Sequence, residues 1–327
     1  MGHLTAEAMR GPGAVAAAAV RDGRVPNLVV VATGPDGPDV AAAAGPVAAG
    51  GTEPIGPDTP VRLASMTKLL TTVAALHLVE GGELALDAPV SQYLPDFADL
   101  LVLDGFSGDR PRLRRPASAA TVRQLLTHTA GLGYWFYDAD LFRWERLTGT
   151  PNVLSGSARA FTAPLVADPG TRFSYGIATD WLGRVVEAVT GTGLDAYLTA
   201  RVTGPLGMDR TAFRLTPAQR ARLTPVHRRA TDGTWRATGI DWPADPDHVS
   251  GGHGLYSTPR DFLRLQRALL RGGELDGIRI LRERTVRAMF TDQLGGLGFP
   301  AHLPTAHPAS SADLTLCPGM LWGFGLL

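Results

Sequence analysis

Ser65 and Lys68 are the residues whose types and spacing could do covalent chemistry in this chain. A serine hydroxyl is a weak nucleophile at neutral pH and needs a base within hydrogen-bond reach. A lysine three residues later on a helix lies one turn along the same face, where its amine can be that base. The amine acts as a base only in its neutral form, which burial or a neighbouring cation favours. The same S-x-x-K spacing also fits an N-cap serine followed by a surface lysine.

The residues after Ser65 predict the helix that this spacing requires. Apolar side chains recur at helical spacing along the segment, at Leu69, Leu70, Val73, Leu76 and Val79. Gly81 and Gly82 supply the stop. Ser65 is therefore expected at a helix start, where free backbone N–H groups and the positive end of the helix dipole suit a developing oxyanion.

The sequence around Ser65 resembles the serine penicillin-recognising enzymes, which include class C β-lactamases, DD-peptidases and related esterases. The resemblance rests on A-S-M-T-K at 64–68, on G-G-E-L-A-L-D-A-P-V at 81–90 and on T-V-R-Q-L-L-T-H-T-A-G-L at 121–132. The last of these segments predicts a capped helix that ends at Gly131. Its His128 could be a general base, but the resemblance and the sequence both favour a structural role at the helix end.

A further match lies at 169–175, where P-G-T-R-F-S-Y places Tyr175 on the tyrosine of the family's Y-x-N motif. The resemblance implies that Ser65 is the nucleophile, that Lys68 activates it and that Tyr175 shares the proton transfers. The chain departs from the lactamases at Ile177, where an asparagine would contact a β-lactam or peptide amide. The stretch Y-G-I-A-T-D-W-L-G-R-V-V-E at 175–187 is similar instead to family VIII carboxylesterases.

Two further segments are expected near the mouth of the site. The first is an aromatic stretch at 134–144, and the second is a Gly-rich loop that begins at Ser250 and allows close backbone approach. The expected substrate-binding residues are Tyr134, Trp135, Ile177, Gly252 and His253. An aromatic cluster of this kind suits an apolar acyl group, and it equally suits an ordinary hydrophobic core.

The remaining pattern predicts the framework of the chain. Residues 4–22 predict a helix interrupted at 11–13 by Gly-Pro-Gly, and residues 28–32 predict a strand with a hairpin partner at 40–47. Ser257 or Thr258 is expected to cap a helix that has Pro259 at its first position. Another short helix is expected around Glu283 to Phe290.

The resemblance implies an α+β fold of the β-lactamase/transpeptidase type, an α/β sandwich in which helices flank an antiparallel sheet. The expected sheet domain is discontinuous, at 1–79 and 167–327, with a helical subdomain inserted at 80–166. The match reaches W-G-F-G-L at 322–326, where the family continues with strands that carry a K-T-G, H-T-G or W-G-G motif. These C-terminal strands are absent from the chain, and we expect it to be a fragment of a longer protein. A truncated, impaired enzyme and a sheet completed by a partner are the alternatives.

Composition excludes several function classes. The chain has 327 residues, 44% hydrophobic content, 31 basic and 31 acidic residues and a pI of about 7.1, so nothing favours a nucleic-acid partner. One cysteine, Cys317, allows no internal disulfide, and no stretch is long enough to span a membrane. No convincing signal peptide is present, which predicts a cytoplasmic protein. His302, His307 and Cys317 are too loosely spaced for a metal site, so neither a metal nor a cofactor is expected.

The sequence therefore predicts a serine hydrolase that cleaves a small-molecule ester through an acyl-enzyme on Ser65. The first alternative is an acyltransferase that passes the acyl group of the same donor to an alcohol. A β-lactamase or DD-peptidase ranks below both, because of Ile177 and the missing export signal. A non-catalytic protein on the same fold is the remaining alternative, and the oligomeric state is open.

Overall fold

The computed structural model describes residues 6–316 and 319–325, and for residues 6–10 it describes the backbone alone. Cys317 and Leu326, which the sequence analysis names, lie outside the described residues. The α-helices are, in chain order, α1 (Ala6–Arg21), α2 (Thr67–Gly81), α3 (Val122–Leu126), α4 (Ala139–Thr148), α5 (Ala178–Thr190), α6 (Leu194–Leu198), α7 (Pro217–Ala221), α8 (Pro259–Leu270) and α9 (Glu283–Met289).

The strands are short and pair two by two. They are β1 (Leu28–Ala32), β2 (Val40–Ala44), β3 (Val61–Arg62), β4 (Val102–Ser107), β5 (Arg110–Arg114), β6 (His227–Arg229), β7 (Trp235–Ala237), β8 (Tyr256–Ser257), β9 (Glu274–Leu275), β10 (Ile278–Arg279), β11 (His302–Leu303) and β12 (Leu314–Thr315). Within the described residues the pairs β1–β2, β3–β8, β4–β5, β6–β7, β9–β10 and β11–β12 are all antiparallel. Helices with antiparallel strands make the chain α+β, as predicted.

The chain divides into two compact units. The first comprises the chain up to Ala64 together with Thr199–Asp241 and Gly254–Ile280, and the second comprises Ser65–Leu198, Trp242–His253 and the chain from Leu281 onward. The predicted division into 1–79 with 167–327 and an inserted 80–166 subdomain stays a prediction.

The first unit contains the predicted hairpin, in which Leu28 pairs with Ala44 and Ala32 with Val40. Helix α1 packs against both strands of this hairpin, and α8 packs against β1. Thr258 caps α8 by accepting a hydrogen bond from Asp261 N, with Pro259 at the first helical position, which confirms that prediction. The predicted break in the first helix is wrong, because α1 runs without interruption through Pro12. Packing of α1 on the hairpin outweighs the one backbone hydrogen bond that a proline removes.

The second unit is built around α2, which packs against α5 and α6, while α3 also packs against α5. The apolar positions of α2 are buried nearly all round, and its Leu70, Val73 and Ala74 are wholly inaccessible. The helix ends at Gly82, whose φ of 77° is left-handed and whose N–H returns to the carbonyls of Leu78 and Val79. The glycine stop predicted from the sequence is therefore confirmed.

Helix α3 begins as predicted and ends earlier than predicted. Thr121 and Gln124 form a capping box at its start. The helix stops at Leu126, five residues short of the expected end at Gly131, because the chain then turns through His128 at a φ of 54°. The turned segment pairs with a distant one, since Val166 N donates to Gly131 O and Gly170 N donates to Thr129 O.

Neither a membrane-spanning helix nor a metal-binding cluster is found in the part of the chain that the structure describes. No helix among residues 6–316 and 319–325 has both the length and the apolar character needed to cross a bilayer. The same part of the chain contains no group of three or more His, Cys, Asp or Glu side chains placed to hold a metal ion. His302 lies in β11, and the ring of His307 contacts Phe142 and the hydroxyl of Ser310.

Candidate active site

Ser65 lies in a single 3-10 turn, Ala64–Met66, that leads directly into α2. The Ser65 residue is exposed, which is what attack on an external substrate requires. Ala64 precedes it with a φ of 47°, a left-handed conformation that is uncommon for a residue other than glycine. This strained residue directs the chain into the turn. The predicted position of Ser65 at a helix start is confirmed.

Lys68 lies in the first turn of α2 and is only 5% exposed. Its Nζ is 3.2 Å from Ser65 Oγ, 3.1 Å from the hydroxyl of Tyr134 and 2.8 Å from the carbonyl oxygen of Gly252. The S-x-x-K pair is thus in hydrogen-bond contact and buried, and the reading of Lys68 as a surface lysine is excluded.

The three contacts restrict how the Lys68 amine can be oriented. A charged ammonium has three N–H donors, and all three contacts can then be made at once. A neutral amine has two N–H donors and one lone pair. The Gly252 carbonyl can only accept, so one N–H points there in either charge state. The lone pair of the neutral amine is then left to accept from Ser65 or from Tyr134.

Tyr134 is the residue whose position adds most to the sequence prediction. Its hydroxyl is buried, and burial is the main reason that its pKa lies well above the ordinary value of 10.0, with Asp180 and Tyr175 adding to the rise. The phenol therefore stays protonated and can accept a hydrogen bond from Lys68. Its ring stacks on Phe136 with centroids 4.8 Å apart. The sequence named Tyr134 for substrate binding, and its hydroxyl faces the lysine.

Tyr175 approaches Lys68 through its ring. Lys68 Nζ lies 4.9 Å from the ring centroid, within the range of a cation–π contact. The ring also lies edge-on to Tyr134, with centroids 5.5 Å apart, and packs on His128 at 5.0 Å. Within the described residues the Tyr175 hydroxyl makes no hydrogen bond. The structure thus brings the ring of Tyr175 to the lysine, and the role of its hydroxyl stays a prediction.

His128 packs against the rings of this aromatic group. Its ring is buried among Phe173, Tyr175 and Trp322, with ring-centroid distances of 5.0–5.9 Å. Burial, with a smaller effect from the Lys68 charge, lowers its pKa from 6.5 to about 3, so the imidazole is neutral. No hydrogen bond of His128 reaches Ser65 or Lys68, which agrees with the structural role expected from the sequence.

The other residues predicted to bind substrate lie at different depths. Trp135 is buried against the rings of Tyr134 and Phe136, and Ile177 is buried at the N-cap of α5. Gly252 contributes its carbonyl to Lys68. His253 is also buried, with its ring 5.1 Å from Trp242 and its Nδ1 2.6 Å from the hydroxyl of Ser250. Their roles in substrate binding stay predictions.

Sequence reasoning missed the contact of Tyr134 with the lysine and missed Asp180 altogether. Asp180 lies in the first turn of α5 and accepts hydrogen bonds from the Ser250–His253 loop. The available signal was a carboxylate directly before the large apolar residues Trp181 and Leu182 in the first turn of a helix, since a carboxylate is rarely buried without a partner.

Comparison with known proteins shows which family this chain resembles. A model of the Beta-lactamase family matches residues 10–325. The chain is 38% identical over 250 residues to "Acyltransferase mokF" of Monascus pilosus, which covers 74% of this chain and 59% of that protein. It is 35% identical over 296 residues to "Lovastatin esterase" of Penicillium rubens, which covers 87% of this chain and 73% of that one. The chain thus spans about three fifths of the length of the first of these relatives.

A solved structure shows the same fold. A mutant of the simvastatin synthase LovD from Aspergillus terreus superposes with a TM-score of 0.78 at 34% identity, which covers 87% of this chain and 68% of that one. The fold is therefore of the β-lactamase/transpeptidase type. With a family match over nearly its whole length and relatives above 30% identity, this chain belongs to the beta-lactamase family.

Proposed function

We propose that this protein is a serine hydrolase that cleaves carboxylic esters through an acyl-enzyme on Ser65. The observation that carries the proposal is the buried amine of Lys68 3.2 Å from Ser65 Oγ, held by two further hydrogen bonds. A relative at 35% identity that is named an esterase supports the reaction class. The contacts of Lys68 supply the base that a serine nucleophile needs.

Acylation follows from these contacts. Ser65 Oγ attacks the ester carbonyl carbon while its proton passes to Lys68 Nζ. The carbonyl π electrons move to the oxygen, which the Ser65 backbone N–H stabilises as one half of an oxyanion hole. The tetrahedral intermediate collapses, the bond to the alcohol oxygen breaks, and that oxygen takes the proton from Lys68, either directly or through the Tyr175 hydroxyl.

Deacylation uses the same groups in the reverse order. Water attacks the acyl carbon and gives its proton to Lys68, either directly or through the Tyr175 hydroxyl, which passes its own proton on to the amine, and the bond to Ser65 Oγ then breaks. Ser65 recovers its proton from Lys68, and the carboxylic acid leaves. Each proton that Lys68 accepts is returned within one turnover, so the chemistry needs no further reactant.

The substrate is an ester with a short to medium apolar acyl chain. The rings of Tyr134, Phe136, Tyr137 and Tyr175 pack on one another beside Lys68 and offer apolar surface there. Ile177 in place of an asparagine removes the amide that would bind a β-lactam. Both features favour an ester over a β-lactam or a peptide.

Acyl transfer to an alcohol is the second candidate. It is favoured by the relative at 38% identity that is named an acyltransferase. Both reactions share the acyl-enzyme and differ only in the acceptor that attacks it. Hydrolysis and acyl transfer are distinguished by measuring how a preformed acyl-enzyme divides its acyl group between water and an added alcohol.

The test is the intact mass of the protein after brief exposure to p-nitrophenyl butyrate, beside a Ser65→Ala variant. We expect one butyryl adduct on the natural chain, a matching burst of p-nitrophenolate and neither in S65A. S65A removes only a hydroxyl from an exposed residue, so its fold is expected to survive. An adduct that persists in S65A would assign the acyl group to another residue, and the absence of any adduct would reject the hydrolase.

A further inference from the structure

Asp180 is a buried carboxylate with an incomplete set of partners. The residue is 1% exposed, and its Oδ1 accepts hydrogen bonds from Ser250 Oγ at 2.5 Å and from Gly252 N at 3.0 Å. Its Oδ2 has no partner within the described part of the chain. Burial of a carboxylate is costly, so its place beside the site calls for a compensating role.

The direction of each hydrogen bond in this network follows from its chemistry. Asp180 Oδ1 is the acceptor of the bond from Ser250, so Ser250 gives its single hydroxyl proton to Asp180. Ser250 Oγ must then accept from His253, whose Nδ1 lies 2.6 Å away and carries the proton. His253 is neutral, since burial lowers its pKa to about 4. The order is His253 to Ser250 to Asp180.

The loop that Asp180 holds is the loop that contacts Lys68. Gly252 N donates to Asp180, and Gly252 O accepts from Lys68 Nζ at 2.8 Å. One residue earlier, Gly251 O accepts from the hydroxyl of Thr71, one turn along α2 from Lys68. The loop is thereby fixed to α5 on one side and to α2 on the other.

The glycines of this loop leave no space between it and α5. A Cβ added to Gly252 would lie 2.2 Å from Asp180 Oδ2, and a Cβ added to Gly251 would lie 2.7 Å from the carbonyl of Thr179. Direct backbone contact with Asp180 is possible only without these side chains. The Gly-Gly pair therefore lets the carboxylate hold the peptide that faces the lysine.

We propose that Asp180 is a positioning residue for the reaction: it holds the Gly252 carbonyl against the Lys68 amine and so directs the lone pair of that amine to Ser65. The inference rests on the proposed acyl-enzyme chemistry. The Gly252 carbonyl accepts one N–H of Lys68 whether the amine is charged or neutral. Its position therefore decides where the second N–H and the lone pair of the neutral amine point. A loop that shifted away would allow the lone pair to turn from Ser65.

Two substitutions separate positioning from charge. Asp180→Ala removes the acceptor for both Ser250 and Gly252, whereas Asp180→Asn removes the charge and keeps one oxygen that can accept from both. Misplacement of a catalytic base lowers the acylation rate by about 10²-fold. We expect that loss in kcat/KM for D180A and recovery to within about tenfold of the natural chain in D180N. The pH profile of D180N should keep its position.

Glu187 supplies the matched control. It is a carboxylate on the same helix that accepts a hydrogen bond from a backbone amide, Leu194 N, at 2.9 Å. Glu187→Ala and Glu187→Gln should change thermal stability and leave kcat/KM per folded molecule unchanged. All rates are normalised to the folded fraction, so that a purely structural role of Asp180 would appear in stability alone.

Three results would overturn the inference. The first is an unchanged kcat/KM in folded D180A. The second is an equal loss of kcat/KM in D180A and D180N, with the same shift of the pH profile in both. The third is a loss of kcat/KM in the Glu187 variants as large as the loss in D180A. Should D180A fail to fold, Gly252→Ala keeps the carboxylate and forces the loop away from it, because the added Cβ would lie 2.2 Å from Asp180 Oδ2, and an unchanged acylation rate in folded G252A would have the same force. Failure of the proposed function is distinct, because the natural chain would then form no adduct at all.

Discussion

Tyr134→Phe is the substitution that best separates the two roles open to this residue. It removes the hydroxyl that accepts from Lys68 and keeps the ring, so the stacking on Phe136 at 4.8 Å and the packing beside Lys68 remain. A residue that serves only to bind an apolar acyl group would lose little, because phenylalanine offers the same apolar surface. A residue that supports the lysine would lose its one polar contact.

The expected magnitude follows from the surroundings of Lys68. Lys68 is 5% exposed and its amine has three polar partners, so loss of the Tyr134 hydroxyl leaves one buried N–H without its acceptor. Hydrogen bonds to charged groups contribute about 1.5–3 kcal/mol. This contact strengthens as Lys68 gains the serine proton, so its loss is felt mainly in the transition state. We expect kcat to fall about 10- to 100-fold in Y134F while KM changes little.

The assay is steady-state hydrolysis of p-nitrophenyl esters with acyl chains of increasing length. Tyr137→Phe is the matched control, since Tyr137 belongs to the same aromatic group and its hydroxyl makes no hydrogen bond within the described residues. A kcat for Y134F within twofold of the natural chain would refute the reasoning. A rise in KM that grows with acyl length would instead support the substrate-binding role that the sequence predicted.

Two further expectations concern stability. The buried imidazoles of His128 and His253 have pKa values lowered from 6.5 to about 3 and about 4, so below pH 6.5 the unfolded chain binds protons that the folded chain does not. The free energy of unfolding should therefore fall by about 1.4 kcal/mol per pH unit for each of them as the pH drops from about 6.5 toward 4. Urea unfolding over this range measures the slope, and His128→Gln should reduce it, whereas an equal slope would contradict the assignment. Ala64→Gly should keep or raise the melting temperature, because the φ of 47° suits glycine, and Ala64→Val should lower stability by about 1–3 kcal/mol. Thermal denaturation measures the stability of both variants. An A64V variant as stable as the natural chain would show that the left-handed residue before Ser65 carries no strain.

The features that the sequence predicted correctly depend on local signals. The stop of α2 needs only a residue that tolerates left-handed dihedrals, and Gly82 is that residue. The cap of α8 likewise needs only Thr258 beside Pro259. The contact between Ser65 and Lys68 was predictable because a separation of three residues on a helix places both side chains on one face.

The features that the sequence did not predict depend on contacts between distant parts of the chain. The early end of α3 depends on the pairing of Gly131 with Val166, where a Cβ on Gly131 would lie 2.2 Å from the carbonyl of Ala167. The Lys68–Tyr134 bond joins residues 66 positions apart, and the Asp180–Gly252 bond joins residues 72 positions apart. Spacing along one helix or strand carries no information about such pairs, so only the folded chain shows them.

The close fit of the 251–252 backbone determines where the substrate scope of this protein can be redesigned. Neither glycine can gain a side chain without displacing Asp180 or the carbonyl of Thr179, so we expect substitutions at these two positions to lower activity and not to change selectivity. Met66 offers the opposite case: it is adjacent to Ser65, 48% exposed and outside the network that orients the amine. Libraries at this position can alter which acyl and alcohol groups reach Ser65 while the hydrogen bonds of Lys68 stay intact.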